Sequence, residues 1–163
     1  MTGKKNMIRM VLIGLVVLLV SLHSAFAADK IFLVTNQKAL DLAKDFIVTL
    51  NNESIPMQIV SDQYDKAKKE QYIIVLGGAK GPGSVEDFIK QVLTPQELES
   101  ANKPDGKMYV KENVFVKDAG QVIIVFDGPD EAAAAKARKN NRNTWWELLV
   151  EWFDLDTSAP MAY

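Results

Sequence analysis

Two short stretches carry the residues that could do chemistry. Gly77, Gly78, Lys80, Gly81, Gly83 and Ser84 follow the apolar run Tyr72 to Leu76, and Asp127 and Asp130 follow the similar run Gln121 to Phe126. Glycine amides ahead of a helix can cradle an anion, and Lys80 could meet that anion as a point charge. Asp127 and Asp130, with Asp62 after an earlier strand, could hold calcium or magnesium. The spacing favours plainer roles. Gly78 to Ser84 reads G-x-x-x-x-G-S, with serine where a phosphate loop requires lysine, and Glu86 stands where Gly81-x-Gly83 would need its third glycine. A glycine-proline turn out of a buried strand explains the first stretch. Helix capping explains the aspartates. No metal site and no cofactor is expected.

The inventory removes other mechanisms. The chain has no cysteine, and its single histidine, His23, lies in an N-terminal leader. Without them the downstream chain has no imidazole base, no thiolate nucleophile and no usual zinc or haem ligand. In the leader, Lys4, Lys5 and Arg9 precede the apolar run Met10 to Val20, and Ala25-Phe26-Ala27 has the small-x-small form of a cleavage site. The apolar run is short for a membrane span, which takes about 20 residues. Residues 1–27 therefore read as a signal peptide, and 28–163 as a single domain with no membrane span after cleavage. All 21 acidic residues follow Ala27 while three of the 19 basic ones precede it, leaving a mature net charge of −5. That balance argues against a nucleic-acid or anionic-membrane partner.

The elements that must position these residues alternate. Strands are expected at Ile31 to Val34, Pro56 to Val60, Tyr72 to Leu76 and Gln121 to Phe126. A helix capped by Thr35 and Asn36 runs to about Leu50. Another starts at Ser84, with Asp87 helping to hold its first turn, and a third at Thr94-Pro95-Gln96-Glu97, a capping box with proline at the first position. Met108 to Val116 is extended in character and can form an antiparallel edge hairpin with the strand after it. Strands separated by helices imply parallel pairing. The expected fold is α/β: one three-layer domain with a mainly parallel sheet covered by helices.

The last helix, from about Glu131, is interrupted at Asn140 to Asn143 and restarts at Thr144, with Glu147 completing a box. Trp145, Leu148, Leu149 and Trp152 share a face that Trp146, Val150 and Phe153 widen. Such breadth is either buried in the home domain or pressed on a partner. Burial is the favoured reading, with Trp146 and Phe153 as interface candidates for self-association or an envelope protein. Asn52-Glu53-Ser54 also fits the glycosylation acceptor pattern.

Two segments, Tyr72 to Ser84 and Gly120 to Lys136 (GQVIIVFDGPDEAAAAK), together resemble paired segments of archaeal surface-layer proteins and related exported archaeal domains. There a strand ending in a GGP-like loop is followed by a GQVVIV-like strand, a G-x-D turn and a helix. The likeness covers about residues 71–138. This chain differs in placing Ala79-Lys80 before its Gly-Pro and alanines after the turn. The resemblance implies a secreted, cell-envelope setting and supplies no catalytic residues. The expected function is therefore a non-enzymatic exported module with a structural or binding role. The alternative is a small-ligand or phosphoester-handling enzyme using the loops after Leu76 and Phe126.

Overall fold

A computed structural model describes residues 30–156 except 79 and 82; the leader and its cleavage site lie outside the described residues. Along the chain come β1 (Ile31–Val34), α1 (Gln37–Asp41), α2 (Lys44–Asn52), β2 (Met57–Val60), a 3-10 helix (Tyr64–Lys69) and β3 (Tyr72–Leu76). They are followed by α3 (Val85–Val92), α4 (Pro95–Ala101), β4 (Lys107–Glu112), β5 (Val122–Asp127), α5 (Glu131–Asn140) and α6 (Arg142–Phe153).

The five strands form one sheet in the order β2-β1-β3-β5-β4. All neighbours are parallel except β4, which pairs antiparallel with β5 from Lys107 opposite Asp127 to Glu112 opposite Val122. This is the expected mainly parallel α/β domain with an antiparallel edge. The apolar runs of β1, β3 and β5 are buried on both faces, which is why they read as unbroken rather than alternating. Successive side chains point to opposite faces. Ile31, Leu33, Ile74, Leu76, Ile124 and Phe126 therefore join one core with Phe46, Leu50, Trp145, Leu149 and Trp152. Phe32, Val34, Ile73, Val75, Ile123 and Val125 join the other with Val85, Phe88, Ile89 and Val92 of α3.

Several local expectations are corrected. The helix after β1 breaks between α1 and α2, and at the break the Arg138 guanidinium donates to the Leu42 carbonyl at 3.2 Å. The final helix restarts at Arg142, so Thr144 lies inside α6 rather than at its cap. Val114, Phe115 and Val116 lie beyond β4, in a segment where the Phe115 amide donates to Gln121 Oε1 at 2.9 Å.

The tryptophan helix packs on its own sheet. Trp145 is 3% exposed, stands edge-on to Phe46 with centroids 5.0 Å apart, and donates its indole N–H to the Arg138 carbonyl at 2.9 Å. Trp152 packs on Tyr72 at 4.6 Å. Trp146 and Phe153 are half-buried and border the same core. Burial in the home domain thus accounts for the apolar breadth of α6.

Candidate functional site

Strand order reverses at β1, whose two neighbours are β2 and β3, so the crevice at the carboxyl ends of β1 and β3 is where an open α/β sheet would hold a ligand. Here the chain fills that crevice itself. Asn36 caps α1, its side-chain oxygen accepting the Ala39 amide at 2.8 Å. Its amide nitrogen reaches Glu131 Oε1 at 3.5 Å, and Lys38 Nζ pairs with Glu131 Oε2 at 2.8 Å. Burial pushes the Glu131 carboxyl upward, but the Lys38 ammonium outweighs it and leaves the group below the usual range.

Several described groups of the glycine loop are likewise used within the chain. Gly77 passes so close to β5 that a Cβ there would lie 2.7 Å from Asp127 Oδ1. Gly78 has φ +101°, and its Cβ would lie 2.2 to 2.4 Å from the backbone of Asp130 and Glu131. Only glycine fits such a backbone-to-backbone approach, and it seals the start of α5. The Asp130 carboxylate caps that helix by accepting the Ala133 amide at 2.8 Å. At the start of α3 the Gly83 amide donates to Asp87 Oδ2 at 2.6 Å. Ser84 holds the N-cap position without capping by its side chain, its hydroxyl donating instead to the Gly81 carbonyl at 2.6 Å. That corrects the expected serine cap.

The eight expected ligand residues therefore separate. Ser84, Gly83 and Gly81 form the turn into α3, Asp130 serves α5, and Gly77 and Gly78 are packing positions. Lys80 and Asp127 come together in a recess of about 200 Å3 that also meets Glu86 and Gly128. Asp62 lies beyond β2, three strands from Asp127, about 14 Å across the sheet. Among the described residues no three acidic side chains are grouped to hold a metal ion.

Asp127 is the unusual group. It ends β5, is only 4% exposed, and its Oδ1 has no hydrogen-bond partner. Burial pushes its carboxyl up to about 6; Glu86 adds to the rise, while the amides of Gly128 and Gly78 and the charge of Lys80 pull it partly back. A buried carboxylate with an unsatisfied oxygen is costly and marks a functional candidate.

A larger recess of about 500 Å3 lies between α2 and the α5–α6 junction and contains none of the expected site residues. Its floor is an ion pair that sequence reading missed. Arg138, 3% exposed in its side chain, reaches Asp45 through both terminal nitrogens, at 2.7 and 3.2 Å. Burial pulls Asp45 upward, but the hydrogen bonds and charge of Arg138 outweigh it and hold its carboxyl below the usual range. Asn52, the glycosylation candidate, is exposed on the rim of this recess. Gln121 was equally unmarked in the sequence; it is buried and donates to the carbonyls of Lys68 and Glu70 at 2.9 and 2.8 Å. Its only sequence signal is a polar residue at the head of an apolar strand.

Compared with known proteins, the chain matches no family model, no curated protein and no solved structure.

Proposed function

We propose that the chain is an exported, non-enzymatic module of the cell envelope, similar in role to surface-layer domains, whose work is structural or binding. The leader and the two surface-layer-like segments support the envelope setting. The observation that carries the non-enzymatic reading is the use of the loop amides: Gly83 is given to Asp87 and Ala133 to Asp130, both carboxylates of this chain. A phosphoester enzyme would keep such donors for its substrate.

The second reading, a small-ligand or phosphoester-handling enzyme, is favoured by one observation. Asp127 and Lys80 share a recess, and the Asp127 carboxyl, raised to about 6, could serve as a general acid or base. Expression of the full chain in a secreting host separates the two. The envelope reading expects an intact mass beginning at Ala28, co-sedimentation with isolated cell envelopes, and no turnover of p-nitrophenyl phosphate. Absence from the envelope fraction, or turnover abolished by Asp127→Asn, would overturn it.

A further inference from the structure

We propose that the recess at the carboxyl ends of β3 and β5 binds a compact ligand carrying a primary ammonium group, such as an amino sugar. The inference rests on the binding role proposed above and names the ligand chemistry for it. Asp127, Glu86 and Glu99 line the recess against a single cation, Lys80, with Asn102 as a neutral polar neighbour and Leu98 as an apolar wall. Glu86 is only 16% exposed in its side chain, and its ion pair with Lys90 is loose, at 3.6 Å. The buried Asp127 carboxylate keeps an oxygen without a partner. Acceptors and negative charge are thus in excess, so a ligand must bring donors and positive charge. At about 200 Å3 the recess is smaller than the usual pockets for drug-sized molecules, about 300 to 1,000 Å3, which restricts it to small ligands. An ammonium fits better than a divalent ion, because no three acidic side chains are grouped as metal ligands among the described residues.

Lys80 then acts as a like-charged competitor, which reverses its role from the anion reading. The test is thermal unfolding of the full chain at neutral pH with glucosamine, glucose, calcium or inorganic phosphate. We expect a saturable rise in melting temperature with glucosamine alone, loss of that rise in Asp127→Asn, and a several-fold lower half-saturating concentration in Lys80→Ala. Glu86→Gln provides a second variant should Asp127→Asn fold poorly, and it should weaken binding several-fold. Carboxyl NMR gives an independent reading: bound glucosamine should lower the titration midpoint of Asp127. No saturable response to glucosamine, an equal response to glucose, or weaker glucosamine binding in Lys80→Ala would overturn the proposal. If the chain still sediments with envelopes, only this inference falls. A response to phosphate that Lys80→Ala abolishes would overturn both it and the non-enzymatic reading.

Discussion

Gly78 lies against Asp130 so closely that a β-carbon on the glycine would sit 2.2 Å from the aspartate's carbonyl carbon. This contact joins the loop after β3 to the start of α5, and it turns a loop that looks open in sequence into part of the packed fold. Gly78→Ala must push two backbones apart and also hold φ +101°. The expected cost is about 2 to 5 kcal/mol, combining backbone strain with overpacking. Gly81→Ala has a similar backbone conformation, but its β-carbon would meet nothing within 4 Å, so strain alone, about 1 to 2 kcal/mol, is expected. Urea titration of both variants measures the difference, and equal costs would contradict the contact.

The tryptophans give a graded expectation. Trp145 and Trp152 are 3% and 7% exposed, whereas Trp146 is half-buried. Trp145→Ala and Trp152→Ala should each cost about 3 to 5 kcal/mol, and Trp146→Ala much less. Denaturant titration with sedimentation checks this. Equal folding costs would put the wrong face of α6 in the core, and weakened association in Trp146→Ala would mark it as an interface anchor.

The Arg138–Asp45 pair should be asymmetric. The arginine side chain is 3% exposed and the aspartate 57%. Asp45→Ala strands a buried charge, which costs about 3 to 5 kcal/mol. Arg138→Met leaves a carboxylate that water can reach and keeps an apolar stem in place, so it should cost less. Chemical denaturation of the two variants reads the order directly, and the reverse order would contradict the burial of Arg138.

Asp127 gives stability a pH dependence of opposite sign to most aspartates. Burial pushes its folded-state carboxyl from the ordinary aspartate range of about 4 up to about 6. The folded protein therefore holds its proton more tightly than the unfolded chain, and this contribution makes folding less favourable as pH rises from about 4 to about 6. Above 6 the full penalty remains, at most about 3 kcal/mol. Asp127→Asn removes the titration, so its stability relative to the parent should increase through that window. Urea midpoints across the range check it, and parallel profiles would contradict it.

How far the fold was legible depends on the distance over which each feature is determined. Tyr72–Leu76 and Ile31–Val34 declare themselves because burial on both faces demands apolar residues throughout. The Thr94–Glu97 box is local, and both of its bonds form. The break between α1 and α2 has no local mark, and the Leu42 carbonyl there is met by Arg138, 96 residues away. Ser84 stands at the N-cap position, but its hydroxyl turns back to the Gly81 carbonyl, and Asp87 takes the Gly83 amide of the same turn. For the site, sequence supplied Lys80 and Asp127 but not Glu86, Glu99 and Asn102, whose approach depends on how α3 and α4 pack beside β5.

The non-enzymatic reading rests on the Gly83 and Ala133 amides being held by the carboxylates of Asp87 and Asp130 rather than offered to a phosphate. Titrating nitrogen-15-labelled protein with inorganic phosphate and a nucleoside monophosphate, while following the amides of Gly81, Gly83 and Ala133, tests it most directly. No saturable movement of these signals is expected. Saturable shifts at Gly83 and Ala133, lost in Lys80→Ala, would show that Asp87 and Asp130 yield their donors to a ligand and would contradict it.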